Sequence, residues 1–497
     1  GSLGAEHPMW IGGEDVRAAK QFAVHGPIDR RVALGRFQAG DATHAAAAME
    51  AAARAYSGWA ATPWRERVAT MRRAADLIEG RVYEIGAVLA LEVGKNRMEA
   101  LGEAQETADL IRYSCDRMEA NDGFVRAMAR DPVAGFSSEN TSAMKPWGPW
   151  LVIAPFNFPL ALAGGPTGAA LVTGNTVVLK PATATPWSAR LLALALRDAG
   201  VPPGAFNLVT GSGAAVGEPL VRDPRVAGAT FTGSYEVGMH LVRTFAQRPW
   251  PRPCIAEMGG KNATIVSRHA NLGDAVTGIA RSAFGLTGQK CSACSRVYVD
   301  HTRFADVVSA LHQAATRVAT GDPTVREHWM GPLIDAHAVA RYEDAVAQVH
   351  ALGAAGAIVH GGERLDHGDL AHGHFVAPTV ARAPIDHPLW SQELFAPFVL
   401  VAPVDSVDEG IARANASDYG LTAGFYGDPG ETERFFATIE AGVAYANRPQ
   451  GATTGAWPGH QPFGGWKGSG STGKSAGSLY YLTQYLREQS QTRVRRL

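Results

Sequence analysis

The hydrophobic pattern of the N-terminal part predicts a helix between Arg65 and Leu89. Apolar side chains recur there every three or four positions, and Arg, Asp and Glu fill the opposite face. A period of about 3.6 residues is typical of a helix that buries one face. The apolar positions are Val68, Met71, Ala75, Ile78, Val82, Ile85 and Leu89.

From Trp150 onward, short apolar runs alternate with longer helical patterns. The first half of this region contains LVIAPFN, TVVLKP, FNLVTG and AGATFTGS, with the helical segment SARLLALALRDAG between the second and third runs. The second half repeats the alternation with NATIVS, SRVYVD and AIVHG, separated by helical patterns from about residue 274 and over 304–320. Such alternation is typical of parallel βαβ units. It predicts two α/β domains, of which the second starts near residues 252–255.

The chain is long enough for more than one domain and has no charge bias. Its 497 residues exceed the size at which a single hydrophobic core keeps growing. Lys and Arg total 46 against 47 Asp and Glu, and 46% of the residues are hydrophobic. This composition is ordinary for a globular protein and argues against a nucleic-acid partner.

The sequence predicts neither a membrane span nor a secretion signal. The most apolar stretch, residues 160–172, is shorter than the roughly 20 residues that a span requires, and three Gly and one Pro interrupt it. The N-terminus lacks a charged start followed by an apolar run. We therefore expect a cytoplasmic protein without a membrane partner.

Cysteine is rare, and one Gly-flanked thiol is a candidate nucleophile. Cys115, Cys254, Cys291 and Cys294 are too few and too scattered for a disulfide framework. Cys291 follows a predicted helix in the turn FGLTGQKCSACSR, where a thiolate facing a cleft would attack a carbonyl carbon. Cys291 and Cys294 also form a C-x-x-C, which leaves open a zinc site, a redox dithiol or an inert buried pair. No second group of metal-ligand spacing accompanies it in the sequence.

A candidate general base lies in the segment IAEMGGKNATIV. Glu257 ends one predicted strand, and Gly259 and Gly260 form a tight turn before the next. A carboxylate there is costly to bury unless it is paired or functional, so a structural ion pair is the alternative interpretation. The Gly-rich segment GGWKGSGSTGKSAG near the C-terminus is likewise either a flexible linker or a wall around a ligand.

Taken together, two of these segments resemble the aldehyde dehydrogenase superfamily. E-x-G-G-K around Glu257 is followed about thirty residues later by G-Q-x-C-x-x-x-x-R around Cys291. GSGAAVG departs from the G-x-G-x-x-G fingerprint, as the atypical Rossmann domain of this family implies. Further similar segments follow the family's order along nearly the whole chain: APFNFP with Asn157, VVLKPA with Lys180, FTGS with Ser234, QELFAPF with Glu393 and Phe395, and QPFGG with Phe463.

The resemblance implies an α/β fold with an atypical Rossmann cofactor domain, an α/β catalytic domain and a small β oligomerisation flap. A flap strand and a C-terminal strand around residues 480–488 would pair between subunits. We expect a homodimer or a higher homo-oligomer, and we interpret the terminal RVRR run as a solvated tail. In the implied division, residues 1–134 and 147–251 form the NAD(P)-binding domain, and residues 252–446 form the catalytic thiol domain. Residues 135–146 and 478–497 form the oligomerisation element, and residues 447–477 form a substrate-anchor loop region.

The resemblance also implies the chemistry, with no metal. Cys291 attacks the aldehyde carbon, and the Asn157 amide and the Cys291 backbone N–H hold the oxyanion. Hydride transfer to a nicotinamide leaves a thioester, and Glu257 activates the water that hydrolyses it. A catalytically silent NAD-binding homologue is the alternative class, against which the retention of both Cys291 and Glu257 argues.

NAD is the cofactor that the resemblance implies, with NADP as the alternative. Lys180 would reach the adenosine ribose, and Ser234, at the start of a helix, would contact the pyrophosphate. Glu393 would hold the nicotinamide ribose with Phe395 beside it. Thr183 stands where members that prefer NAD often carry Glu, and a neutral residue would not repel the 2′-phosphate of NADP. The other cofactor-binding candidates are Gly211, Gly217, Phe231 and Thr232.

Three segments are most similar to family members that oxidise L-glutamate γ-semialdehyde to glutamate. They are EVGKNRMEALGE with ADLIRYSCDRMEANDGF, GQKCSACSR, and TTGAWPGHQPFGG followed by STGKSAG. This substrate carries a carboxylate and an ammonium, for which Ser292 would offer a hydroxyl and Gly455 and Ala456 backbone N–H groups. Phe158 and Phe463 would clamp its aliphatic stretch, unless they are ordinary core aromatics.

Some residues of the anchor loop depart from this pattern and leave room for a related substrate. The alternatives are the semialdehydes of N-succinylglutamate, 2-oxoglutarate and succinate. The loop QGATTGAWPGHQPFGG contains no Arg, which argues against a simple dicarboxylate semialdehyde. The departing residues are Trp457, Pro458, His460 and Trp466.

Overall fold

The structure is a computed structural model that describes residues 3–451 and 457–496. Its strands are β1 (Glu6–His7), β2 (Met9–Ile11), β3 (Glu14–Val16), β4 (Gln21–His25), β5 (Ala33–Gln38), β6 (Val125–Met128), β7 (Phe136–Pro146), β8 (Pro149–Ile153), β9 (Thr176–Lys180), β10 (Phe206–Leu208), β11 (Gly228–Thr232), β12 (Cys254–Glu257), β13 (Asn262–Val266), β14 (Cys294–Asp300), β15 (Ala357–His360), β16 (Thr379–Arg382), β17 (Phe398–Val404), β18 (Tyr419–Gly420), β19 (Thr422–Tyr426), β20 (Val443–Ala446), β21 (Trp466–Lys467) and β22 (Leu486–Arg496). Its α-helices are α1 (Ala42–Ala61), α2 (Trp64–Gly80), α3 (Val82–Val93), α4 (Arg97–Ala120), α5 (Ala161–Val172), α6 (Pro186–Asp198), α7 (Glu218–Arg222), α8 (Tyr235–Ala246), α9 (Leu272–Phe284), α10 (Phe304–Thr316), α11 (Ala336–Ala351), α12 (Val407–Asn415) and α13 (Pro429–Thr438).

Two seven-stranded sheets form the body of the protein. The first has the order β12-β11-β8-β9-β10-β2-β3, and its strands from β12 to β10 are parallel. The second has the order β15-β16-β17-β14-β13-β19-β20 and is parallel except for β15. Every residue of β9 and of β13 is buried, as expected for parallel strands covered by helices on both faces.

The helix expected over residues 65–89 is two helices. α2 ends at Gly80 and α3 begins at Val82, because Arg81 between them has φ −111° and ψ 19°, outside the helical region. The apolar period continues across this break, so the pattern alone did not reveal it. Both helices pack with α4, α5 and α6 in one hydrophobic core beside the first sheet.

The boundary between the two α/β units lies later than the sequence pattern predicts. We expected the second unit to begin at residue 252. However, β12 pairs in parallel with β11, with Glu257 opposite Thr232, and therefore belongs to the first sheet. The chain enters the second sheet only at β13, after the turn over residues 258–261.

A third, three-stranded sheet has the order β22-β7-β6. β22 pairs with β7 in antiparallel register from Leu486 opposite Pro146 to Arg496 opposite Phe136. The C-terminal strand was expected around residues 480–488, but it begins only at Leu486. A short helical turn over Leu482–Tyr485, in which Tyr485 is buried, precedes it. The interpretation of RVRR as a tail was wrong, because all four residues lie in β22, although their side chains are exposed.

Smaller sheets and helix lengths complete the description. β1, β5 and β4 form a three-stranded sheet, and β18 pairs with β21. Among the helices of the described residues, none has both the length and the apolar character that crossing a membrane requires.

Candidate active site

Four predicted site residues follow the carboxyl ends of parallel strands in the first sheet. Asn157 follows β8, Lys180 ends β9, Ser234 follows β11, and Glu257 ends β12. In open α/β sheets the carboxyl edge of the strands is where ligands bind. The fold therefore collects on one edge residues that are far apart along the chain.

Glu257 is followed by a turn that contains Gly259 and Gly260. A Cβ atom at Gly259 would lie 2.1 Å from Oε2 of Glu393, so a side chain there would displace that carboxylate. The backbone N–H of Gly260 donates to Oε1 of Glu393 at 2.9 Å. The turn thereby brings Glu393 and Glu257, which lie far apart in sequence, to the same region of the site.

Cys291 is held in a tight loop between α9 and β14. Leu286 and Thr287 adopt left-handed conformations in this loop, with φ of 48° and 56°. The side-chain amide of Asn262 donates to the carbonyl oxygens of Cys291 at 2.6 Å and of Ala293 at 2.9 Å. These bonds fix the loop backbone and leave the Cys291 side chain half-buried.

The thiol and the carboxylate face one pocket. Cys291 and Glu257 both line it, together with the predicted aromatic residues Phe158 and Phe463 and with Thr232 of β11. The same pocket is bordered by the Gly-rich segment near the C-terminus, including Gly464, Gly465, Gly470 and Gly473. The Gly-rich segment therefore forms a wall of the pocket and is not a flexible linker.

Burial sets the protonation of both groups. It raises the pKa of Glu257 to about 8, and no charged group in the described part of the chain offsets it. Burial, followed by the charges of Glu257 and Glu393, raises the pKa of the Cys291 thiol well above its usual value. The thiol is therefore protonated at neutral pH, and Glu257 is largely protonated there too, so Glu257 becomes a proton acceptor only as the pH rises towards 8.

Asn157 lies at the base of the cysteine loop. It is 3% exposed, and its side-chain amide donates one hydrogen bond, at 2.9 Å, to the carbonyl oxygen of Gln289. An amide nitrogen carries two hydrogens, and this bond uses one of them, although Asn157 itself does not line the pocket that holds Cys291. The second hydrogen remains the candidate donor to an oxyanion.

The second cysteine of the C-x-x-C pair points elsewhere. Cys294 is 3% exposed, begins β14, and its sulfur lies 3.2 Å from the hydroxyl of Thr264 on the adjacent strand. Its pKa is raised to about 11 by burial. Cys294 is thus a packed core residue, and Cys291 is the thiol that faces a pocket.

Most of the predicted adenosine-side residues lie together. The ammonium of Lys180 donates to the carbonyl of Pro181 at 2.8 Å, and burial lowers its pKa to about 8. A Cβ atom at Gly217 would lie 3.4 Å from Cδ of Lys180. Thr183 is exposed, and its hydroxyl donates to the carbonyl of Gly211 at 3.2 Å. This cluster opens at the carboxyl end of β9.

The pyrophosphate-side candidates surround the start of α8. Ser234 is the N-cap of this helix and accepts from the N–H of Val237 at 3.4 Å. Helix N-termini attract phosphate groups. The Phe231 side chain packs in the core below, whereas Thr232 lies beside Glu257 and lines the pocket.

The nicotinamide-side candidates have unusual backbone and electrostatic settings. Burial raises the pKa of Glu393 to about 7. Phe395 has a left-handed backbone with φ 54°, and its ring meets Phe156 edge to face with centroids 5.8 Å apart. Non-glycine residues held at positive φ are enriched at functional sites.

The predicted substrate anchor is described only in part. Ser292 is 1% exposed, and its carbonyl accepts from the hydroxyl of Thr422 at 3.2 Å. Gly455 and Ala456 lie outside the described residues. Trp457 and His460 line an outer groove, which also reaches Phe158.

Several residues that shape the site carried no recognisable sequence signal. Asn262 tethers the cysteine loop, and its position directly after E-M-G-G-K was the only available cue. Tyr481 lines the pocket and shares a 2.8 Å hydroxyl contact with Tyr485. Lys95 and Glu103 form a fully buried ion pair next to the pocket wall.

Comparison with known proteins shows the family to which the chain belongs. The chain belongs to the aldehyde dehydrogenase family, which it matches over residues 14–490. It is an NAD(P)-dependent aldehyde dehydrogenase by membership, so the predicted family, fold class and enzyme class are confirmed.

Particular relatives share one name. The chain is 36% identical over 488 residues to 1-pyrroline-5-carboxylate dehydrogenase of Geobacillus thermodenitrificans, covering 97% of this chain and 92% of that protein. It is also 36% identical over 486 residues to 1-pyrroline-5-carboxylate dehydrogenase 2 of Bacillus subtilis, covering 96% and 91%. A crystal structure of the Thermus 1-pyrroline-5-carboxylate dehydrogenase with bound NAD superposes with a TM-score of 0.92 at 32% identity, covering 100% and 94%.

Proposed function

We propose that this enzyme oxidises L-glutamate γ-semialdehyde, the open form of 1-pyrroline-5-carboxylate, to L-glutamate with NAD in proline catabolism. The observation that carries the proposal is the pocket shared by the Cys291 thiol, the Glu257 carboxylate and two aromatic walls. The relatives that match nearly the full chain support this choice of substrate among aldehydes.

The first half of the proposed reaction uses Cys291 and Asn157. As the Cys291 sulfur bonds to the aldehyde carbon, its proton passes to water, and the carbonyl oxygen becomes an oxyanion. The free N–H of the Asn157 amide and the Cys291 backbone N–H stabilise that charge. The product of this step is a thiohemiacetal on Cys291.

The second half uses Glu257. NAD, when bound, supplies the hydride acceptor that converts the thiohemiacetal to a thioester. The ionised Glu257 carboxylate takes a proton from water, whose oxygen attacks the thioester carbon and displaces the Cys291 thiolate. The glutamate γ-carboxylate leaves, and protonation of the sulfur restores the resting enzyme.

The first sheet has features that suit NAD. Lys180 and Gly217 would accept the adenosine end, the N-terminus of α8 at Ser234 the pyrophosphate, and Glu393 with Phe395 the nicotinamide ribose. We therefore assign cofactor binding to the first sheet and the nucleophile to the second.

The predicted substrate contacts extend this proposal. Phe158 and Phe463 would clamp the aliphatic carbons, and Ser292 with the N–H groups of Gly455 and Ala456 would bind the α-carboxylate. Trp457 and His460 border the outer groove rather than the pocket that holds Cys291. Phe158 borders both cavities, so this groove adjoins the pocket that holds Cys291.

A substrate panel tests the choice. Initial rates of NADH formation should give the highest kcat/KM with glutamate γ-semialdehyde, by at least about tenfold over succinate semialdehyde, since a missing charged contact costs on the order of 1–3 kcal/mol. The semialdehydes of N-succinylglutamate and 2-oxoglutarate complete the panel. A higher kcat/KM for any of these three would overturn the substrate proposal while leaving the aldehyde dehydrogenase chemistry intact.

Thr183 tests the cofactor proposal separately. Thr183→Glu should lower kcat/KM with NADP by about tenfold or more and change that with NAD by less than about threefold, because a carboxylate there repels the 2′-phosphate. Thr183→Gln is the uncharged control of similar size. An equal loss with both cofactors would show that Thr183 does not face the 2′-position.

We also propose a homodimer joined through β7 and β22. Their exposed sheet offers an edge that a second subunit can cover. The cytoplasmic location remains a prediction from the sequence.

A further inference from the structure

A fully buried ion pair lies behind one wall of the active-site pocket. The ammonium of Lys95 and the carboxylate of Glu103 are 2.5 Å apart, and both side chains are 0% exposed. Taking two charges out of water is costly, and one partner alone seldom compensates for it. The remaining polar contacts of the pair therefore indicate what it holds in place.

Glu103 binds the start of α5. Its second carboxylate oxygen accepts hydrogen bonds from the backbone N–H groups of Leu160 at 2.8 Å and Ala161 at 3.1 Å. These are unpaired donors at a helix N-terminus, where a carboxylate is the favoured acceptor. Glu103 thus fixes the position of the chain three and four residues after Asn157.

Lys95 binds the neighbouring residue on the same segment. Its ammonium nitrogen lies 3.5 Å from the centroid of the Phe158 ring, close enough for a cation–π contact in a desolvated site. Phe158 in turn lines the pocket with Cys291. The pair therefore contacts the segment on the residue directly after Asn157 and again at α5.

The third contact comes from the cysteine loop itself. The Asn157 amide donates to Gln289, two residues before the nucleophile. The segment from Asn157 to Ala161 is thus held at its side-chain amide, at its aromatic ring and at its backbone. Each contact limits a different motion of the Asn157 amide relative to Cys291.

We propose that Lys95 and Glu103 are positioning residues, which hold the segment 157–161 so that the side-chain amide of Asn157 faces the aldehyde oxygen beside Cys291. This inference rests on the proposed oxyanion role of Asn157. Neither residue touches the reacting atoms. Their effect is on the geometry of the transition state, where a displacement of about 1 Å can cost about 100-fold in rate.

Glu103→Gln provides the test, because the glutamine carbonyl still accepts from the α5 amides while its NH₂ group faces the Lys95 ammonium. We expect kcat to fall about 10- to 100-fold. The Kd for NAD should stay within about twofold, since the contacts of the pair are with Phe158 and the start of α5 and not with Lys180 or Ser234. In an Asn157→Ala background, the same change should lower kcat by less than about twofold, since the group that Glu103 positions is absent.

Glu92→Gln is the matched control. Glu92 is also buried, at 1% exposure, and accepts from the N–H groups of Trp187 and Ser188 at the start of α6. It does the same structural task at another helix, so Glu92→Gln should leave kcat unchanged. An equal loss of kcat in Glu92→Gln would assign the effect to general stability and overturn the proposal.

Two further outcomes would also overturn it: an unchanged kcat in Glu103→Gln, or the same fold-loss with and without Asn157. The rates are measured with whichever aldehyde the wild type turns over, so failure of the substrate proposal does not affect this cycle. If Asn157→Ala alone retains full kcat, the oxyanion proposal fails first, and the positioning proposal fails with it. Should Glu103→Gln not fold, Lys95→Met/Glu103→Gln, which removes both buried charges, is compared across the same two backgrounds.

Discussion

Cys291→Ala is expected to abolish aldehyde oxidation, with a loss of kcat on the order of 10⁵-fold or more, as for nucleophiles that form the covalent intermediate. Alanine cannot form the thiohemiacetal from which hydride leaves, and no other thiol lines the pocket in the described part of the chain. The measurement is NADH formation with glutamate γ-semialdehyde. Binding of NAD, followed by fluorescence, should be unchanged.

Cys294→Ala is the matched control for this prediction. Cys294 lies three positions further along, but it is buried against Thr264 and faces the core. We expect kcat within about threefold of the wild type and a stability loss of about 1 kcal/mol from the lost packing. Full activity of Cys291→Ala, or an equal loss in both variants, would contradict the assignment of the nucleophile.

The residues at strand ends were predictable because their signals are local. Asn157, Lys180, Ser234 and Glu257 each follow a short apolar run that forms a parallel strand. Parallel strands bring their carboxyl ends to one edge of a sheet. The positions of these residues relative to the apolar runs were therefore enough to predict that they lie at one edge of the first sheet.

The positioning pair was not predictable in this way. Lys95 and Glu103 are eight residues apart, yet Glu103 contacts residues 57 and 58 positions further along. In the sequence they are two charges on a surface-like helical pattern. Glu103 is buried where α4 packs against α5, and Lys95, in the turn between α3 and α4, is buried under the Phe158 ring. Such packing depends on tertiary contacts that periodicity does not encode.

The boundaries of some helices and strands were predicted wrongly for a similar reason. The helix break at Arg81 does not interrupt the period of hydrophobic residues. The apolar pattern of the strand that ends at Glu257 would be the same in either sheet, so the pattern could not show that this strand joins the first sheet. The RVRR run has the composition of a solvated tail, but its backbone pairs with residues 136–139 of β7. Backbone pairing satisfies hydrogen bonds without requiring apolar side chains, so charge composition misled the prediction.

Glu257→Gln is expected to separate the two halves of the reaction. Glutamine is close in size but is not a base, so attack by Cys291 and hydride transfer should continue while thioester hydrolysis slows by about 10²- to 10⁴-fold. Rapid mixing with the aldehyde and NAD should then give a burst of NADH of about one equivalent per active site, followed by slow turnover. Absence of both burst and turnover would place Glu257 in the first half instead.

The pH dependence provides the second measurement on the same residue. Because burial raises the pKa of Glu257 to about 8, the carboxylate is mostly protonated at neutral pH and cannot accept a proton from water. The hydrolysis rate of the wild type should therefore rise with pH by about tenfold per unit below pH 8 and level off above it. In Glu257→Gln the slow phase should lose this dependence. A wild-type hydrolysis rate that stays flat between pH 6 and 8 would contradict the raised pKa of Glu257, since it would mean that the base is already ionised across that range.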